Sequence, residues 1–304
     1  FKQKTAYEIS TRDWSSDVCS SDLANNYKIG IPIRFHDQDS ARDEINLNLY
    51  EYHLTFLDLK IIKNQFKKID KNKSYSIHAP DYISSTQLLD LFSSNNLVRE
   101  QSFIVLETLT EFSLKLKDLT GKASPIIISL NSNENVDGFY SKVKELQSRL
   151  KDQGVVMLPQ LLPPFAWYFG GSVKVNYFCN VDSFKDIEAN SIDICFDLSH
   201  FLMICNFHKL NKLEMFQRYT NFFKHFHLSG AVGFDSEGLN LEFLDPEESD
   251  ILKMILKNEN MKILECWQGH LNKFEGFKKD LIFLDRKSTR LNSSHEWISR
   301  MPSS

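Results

Sequence analysis

The chain has 304 residues, 42% of them hydrophobic and 25% charged, with a formal net charge of −4. That is the composition of a folded globular domain, not of a disordered or fibrous chain. The acidic balance argues against nucleic acid as a partner, because binding a phosphate backbone needs a basic footprint. No apolar run reaches the roughly 18 residues of a membrane span, so no membrane partner is expected. Cys19, Cys179, Cys195, Cys205 and Cys266 form no CxxC pair. Reduced thiols and a cytoplasmic location are the expectation.

Residues 1–23 and 285–304 resemble translated sequencing-library adapters read through into the reading frame. Ile9-Ser10-Thr11-Arg12 and Glu296-Trp297-Ile298 fall where a sample index would sit, and one index read in opposite senses encodes both. Such segments are set aside before fold reasoning. One domain over residues 24–284 is expected.

Strand-like apolar runs then follow at 27–35, 49–54, 74–79, 124–131, 154–159, 191–197, 223–229 and 261–267. A spacing of roughly 20 to 40 residues leaves room for a returning helix each time. Asn95 to Leu119 and Val136 to Leu150 read as helices, the second stopping before Gly154. Asp245-Pro246-Glu247-Glu248 reads as a helix start, with proline in the first turn and acids facing the dipole. Eight strand–helix units predict an α/β fold, a single (β/α)8 TIM barrel. Residues 160–180 are too long for a simple turn. They read either as a lid, with Trp167 over a ligand and Gly170-Gly171 as its hinge, or as a hydrophobic plug against a neighbouring loop or a homodimer partner.

Three consecutive strand ends carry ligand-type residues: Asp197 and His200, then His227, then Glu265. In a parallel barrel the strand C-termini crowd together at one mouth, where such folds do their chemistry. A mixed oxygen and nitrogen set of this kind suits a divalent ion such as Mn, Zn, Mg or Co.

In order, these motifs resemble those of the xylose-isomerase-like barrel superfamily, which includes sugar-phosphate isomerases and epimerases and the endonuclease-IV type of DNA repair enzyme. Strand three ends in Tyr75-Ser76-Ile77-His78-Ala79-Pro80, strand six in Asp197 to His200, strand seven in His227-Leu228-Ser229-Gly230 and strand eight in Glu265. The resemblance covers most of residues 27–283. It implies one metal ion held by Asp197, His227, Glu265 and the residue ending strand five. There the family's single-metal members carry glutamate, as ligand and acid/base, and this chain carries Gln160. An amide oxygen can coordinate a hard ion but cannot take up a proton at neutral pH. The DNA repair branch also needs a strand-four histidine, where Asn131 stands, and an Asp-x-His that is absent from Phe234 to Phe243.

The resemblance implies proton transfer beside a carbonyl through an enediolate, with a sugar or sugar phosphate as substrate. Glu265 is the remaining base, and His78 and His200 can hold hydroxyls or shuttle protons. Arg34 and His36 on strand one, and Glu51 and His53 on strand two, alternate so that each pair shares a face and forms a polar rim. Arg34 can grip an anion or pair with Glu51 inside the barrel. His225 reads as a packed core histidine, and Trp167, Trp267 and His270 as substrate contacts. Two other readings stay open. One is a catalytically degenerate barrel, with no ion, that binds a sugar or acid in surface-sugar biosynthesis. The other is a zinc-dependent endonuclease.

Overall fold

The computed structural model describes residues 23–132 and 134–298, with side chains described as far as residue 287. The expectation for the two adapter-like ends therefore falls largely outside the described residues.

Eight short strands carry the fold: β1 (Ile29–Ile33), β2 (Leu49–His53), β3 (Ser74–His78), β4 (Ile126–Ile128), β5 (Met157–Pro159), β6 (Ile194–Asp197), β7 (Phe223–Leu228) and β8 (Lys262–Leu264). Each lies inside one of the eight apolar runs. They form one sheet in the order β6-β7-β8-β1-β2-β3-β4-β5, every pair parallel. A bridge between Gln160 and Cys195 brings β5 back to β6 and completes the ring. Strands covered on both faces read as unbroken apolar runs, as Ile126-Ile127-Ile128 does.

The ring alternates inward and outward residues. Ile127, Leu158 and Cys195 pack together as a small cluster separate from the main core, as inward-facing residues do. Outward residues pack on the helices. Tyr52 stacks on Tyr75 at 5.3 Å between centroids and meets Phe112 at 5.5 Å. Phe196 sits among Phe201, Phe216, Phe223 and Phe226.

The helices are α1 (Gln38–Glu44), α2 (Asn96–Thr120), α3 (Phe139–Asp152), α4 (Val181–Asn190), α5 (Leu198–His208), α6 (Lys212–Tyr219), α7 (Pro246–Leu256) and α8 (Leu271–Ile298). Asn95 caps α2 by accepting from the Leu97 and Val98 amides, and Gly121 ends it at φ 71°. The helix expected from Val136 starts three residues later, because Gly138 at φ 63° holds the preceding residues in a turn. Asp245 and Glu248 close a reciprocal capping box on α7, with Pro246 in its first turn. Between β2 and β3 the expected helix is reduced to a four-residue helix, Ile62–Gln65, between the 3-10 turns Asp58–Lys60 and Phe66–Lys68. Ile62 is buried and Leu59 and Phe66 pack against the core, Phe66 on Phe112, while the lysines between them stay outside. At the end of the barrel away from the strand C-termini, the buried Lys262 ammonium donates to the carbonyls of Tyr27, Asn258 and Asn260. Burial pushes it down to about 8.

Asp280 on α8 is buried and accepts from the Leu241 amide and the Asn240 side chain, and burial pushes it up to about 6. A carboxyl raised in the folded state contributes stability below its unfolded value and loses it as pH rises through the folded one. Between pH 4 and pH 7 Asp280 is thus expected to remove about 3 kcal/mol, roughly two pKa units at 1.36 kcal/mol each. Asp280→Asn keeps an acceptor for both donors. Denaturant titrations across that range should show the variant gaining on wild type as pH rises, and parallel curves would refute the assignment.

Candidate active site

The parallel register sets the site. His53 pairs with His78 across β2 and β3, and Asp197 with His227 across β6 and β7. One step further round, the Glu265 amide bonds to the Leu228 carbonyl, which continues the β7–β8 ladder past Leu264. These strand ends floor a cavity of about 540 Å³ at the C-terminal mouth, lined by Arg34, His53, His78, Gln160, Asp197, His200, Glu265 and His270 among others.

His227 is the hub. Its Nδ1 lies 2.8 Å from Glu265 Oε2, 3.2 Å from Gln160 Nε2 and 3.8 Å from Asp197 Oδ2. Gln160 donates from Nε2 to Asp197 Oδ2 at 2.9 Å, and its Oε1 faces His78 Nε2 at 2.8 Å. The other His78 nitrogen faces the Ala79 carbonyl at 2.8 Å, so both ring nitrogens meet acceptors. The sequence-level ligand set and His78 are therefore brought together at one mouth.

His200 stands beside them. Its Nδ1 is 2.7 Å from the Leu161 carbonyl, and its Nε2 is 3.2 Å from Glu237 Oε2. Burial opposes its charge, yet Asp197 and Glu237 push it up to about 10. Burial also opposes a charged His227, whose neighbours nevertheless raise it well above the ordinary range. Because burial pushes Cys195 up to about 12 and keeps it a thiol, the charges acting on His227 at neutral pH are Glu265 and Glu51. Against the same burial, His227 holds Glu265 well below the usual carboxylate range. At neutral pH Glu265 is a carboxylate and His200 an imidazolium.

Several expectations need correction. Glu51 is not on the rim: it is fully buried beneath the cavity, ringed by His53, His225 and His227. It does not pair with Arg34, which is exposed at the edge of the cavity and has no ion pair among the described residues. His36 leaves the site altogether. β1 ends at Ile33, and bonds from the Asp37 and Gln38 amides to the Arg34 carbonyl turn the chain. The strand alternation that would align His36 with Arg34 stops there, and its side chain is 71% exposed beside Asp37. His225 is buried as expected, but it faces Glu51 and is not purely packed.

The long connection after β5 is a hairpin, Phe165–Tyr168 with Gly171–Lys174. Gly170 is part of its tight turn and not a hinge: Phe169 at φ 54° and Gly170 at φ 76° form a two-residue loop with both φ positive. Tyr168 is buried against Tyr82, whereas Trp167 lines the cavity and is 60% exposed. Trp267 and His270 line it from the opposite loop.

Glu237 was missed. It sits on a second hairpin, Gly230–Val232 with Ser236–Leu239, that folds back over the mouth. The only hint was its neighbour: Gly238 has φ +69°, and a Cβ there would come within 2.1 Å of the Trp267 ring. Only glycine lets that indole lie flat against the hairpin.

No protein-family model and no curated protein sequence matches the chain. Solved structures do. A D-tagatose 3-epimerase-like protein superposes with a TM-score of 0.57 at 19% identity, covering 86% of this chain and 99% of its own. The 3-keto-D-glucoside 4-epimerase of E. coli gives 0.56 at 13%, covering 84% and 98%. A candidate xylose isomerase from Rhodospirillum rubrum gives 0.59 at 11%, covering 85% and 98%. These likenesses, all below 20% identity, show the fold: a single (β/α)8 barrel, as the eight strand–helix units predicted.

Proposed function

We propose that this xylose-isomerase-like barrel is a metal-dependent sugar isomerase or epimerase, moving a proton beside a carbonyl. The observation that carries the reading is the convergence of His78, His227 and Glu265, whose ligand-type atoms lie within 4.8 Å of one another, with Asp197 Oδ2 3.8 Å from His227 beside them. The sugar epimerases that share the fold support it.

The donor chemistry fits a divalent ion. With its amide as it stands, Gln160 gives His78 a second acceptor and turns its own nitrogen toward His227 and Asp197. Half a turn of that amide gives His78 a donor and points oxygen at Asp197, an arrangement that only a cation between the two oxygens makes favourable. Asp197, His227, Glu265 and Gln160 are then the residues that hold the ion. When bound, it supplies Lewis acidity to a carbonyl oxygen and its neighbouring hydroxyl.

The rest falls to the chain itself. Glu265, ionised and one-quarter exposed, takes the proton from the carbon beside the carbonyl and returns it to the next carbon. Gln160 cannot serve as a second base on the opposite face, so transfer on one face, as in an aldose–ketose isomerase, fits best. The Leu161 carbonyl holds His200 by Nδ1, and the Nε2 proton, facing Glu237, is the one that can be turned to a substrate oxygen. Arg34 offers a fork to an acidic or phosphorylated end. Endonuclease chemistry has less support, because Asn131 is committed to holding the Asn176 amide and no Asp-x-His follows strand seven.

The test works before the substrate has been identified. Elemental analysis and calorimetric titration with Mn, Zn, Co and Mg should find one tight site, and aldoses and ketoses should exchange a carbon-bound proton for solvent deuterium. Gln160→Glu should tighten ion binding about tenfold, since a carboxylate replaces a neutral dipole beside the cation. A ligand retained in the mouth with no metal uptake by either protein would favour a sugar-binding barrel, the reading that the amide at position 160 keeps in play.

A further inference from the structure

Beneath the proposed ligands lies a charge with no part in the chemistry above. Glu51 is fully buried, paired in register with Ser76 one inward-facing position below His53 and His78. An unpaired carboxylate there would be strongly unfavourable. Four groups converge on its two oxygens: His53 Nε2 and His227 Nε2, each 2.9 Å from Oε1, and Ser76 Oγ at 2.7 Å and His225 Nε2 at 3.0 Å from Oε2. His53 and Ser76 make aligned hydrogen bonds. The close approaches of His225 and His227 are off the hydrogen-bond direction.

The decisive geometry is that of one imidazole ring. His227 turns Nε2 to Glu51 and Nδ1 to Glu265, Asp197 and Gln160. Were an ion to take the place of the Nδ1 proton, a carboxylate 2.9 Å from Nε2 would favour the remaining ring proton on its own side. It also makes the ring a stronger donor, the role outer carboxylates play behind metal-binding histidines. We infer that Glu51 is a positioning residue for His227, and that it returns from behind the ring the negative charge that strand five lacks at Gln160. This rests on the metal-binding reading above. Three carboxylates, Asp197, Glu265 and Glu51, then surround His227, and only the first two reach the ion.

The experiment is a double-mutant cycle read by calorimetric titration of Mn2+, with thermal melts to confirm folding. Glu51→Gln preserves shape and keeps an acceptor for His53 or for Ser76 but not for both, and should weaken Mn2+ binding by about 10- to 100-fold. Adding Gln160→Glu should raise the affinity by clearly more in that variant than the roughly tenfold gain expected in wild type, because the new charge replaces the lost one; a purely structural role for Glu51 predicts the same gain in both backgrounds. Wild-type affinity in Glu51→Gln, or an equal gain from Gln160→Glu in the two backgrounds, overturns the inference while leaving the metal site standing. A wild-type protein that takes up no Mn2+ overturns both. Should Glu51→Gln fail to fold, Glu51→Asp keeps the charge but withdraws it by one methylene. It should bind Mn2+ more weakly than wild type, and equal affinity overturns the inference.

Discussion

Glu265→Gln is expected to lower turnover by about 100- to 10,000-fold, the range for removing a positioned general base, and to weaken metal binding as well. One side chain holds both roles because Glu265 lies 2.8 Å from His227 Nδ1 and faces the cavity. With Gln160 neutral, no other strand-end carboxylate is free to accept the proton, since Asp197 is engaged by Gln160 Nε2 and caps α5 through the His200 amide. Deuterium incorporation followed by NMR would measure the first effect and calorimetry the second. A variant that exchanges substrate protons at the wild-type rate would place the base elsewhere, with Glu237 the next residue to test.

The largest effect on stability is expected at Phe196. It is fully buried on the outward face of β6, with ring centroids of Phe223 at 4.4 Å, Phe201 at 5.0 Å, Phe216 at 5.3 Å and Phe226 at 6.0 Å. Truncation leaves a hole walled by four rings that cannot all collapse into it. Phe196→Ala should therefore cost about 3–5 kcal/mol, and Phe196→Leu clearly less. Urea unfolding would decide it, and a loss below about 1 kcal/mol, within the range of ordinary surface changes, would mean the cluster repacks freely.

The strands were legible because burial on both faces writes itself as uninterrupted apolar runs, and their ends were legible because Asp197, His227 and Glu265 each break such a run with a ligand-type residue. The helix at Asp245 was legible through its cap. What stayed hidden depends on where a strand stops or on a partner distant in sequence. His36 looked paired with Arg34 only while β1 was assumed to continue past Ile33. Glu51 looked like a rim residue because period-two alternation gives a face but not a depth. Its three histidines come from β2 and β7, which no local pattern joins. Glu237 lies in a polar stretch whose hairpin is packed against Trp267 from another strand end, so closely that Gly238 has no room for a Cβ.

The ring of strands meets itself between β5 and β6 through the Gln160–Cys195 bridge, reinforced by the Leu161 amide on the Cys195 carbonyl. Gln160 and Asp197 stand on opposite sides of that join, and their 2.9 Å hydrogen bond spans it. Anything gripped by both side chains acts as a clasp on the cylinder, so occupancy and mechanical closure become one equilibrium. At a hundred times its dissociation constant such a ligand adds roughly 2.7 kcal/mol to global stability. Locally the gain is concentrated where the wall is thinnest, because regions held by few backbone bonds open first. The amide of Leu161 should therefore exchange with solvent faster than its counterparts between β2 and β3 when the mouth is vacant, and slow sharply when it is filled. The breathing of the cylinder wall becomes a gauge of what the mouth holds.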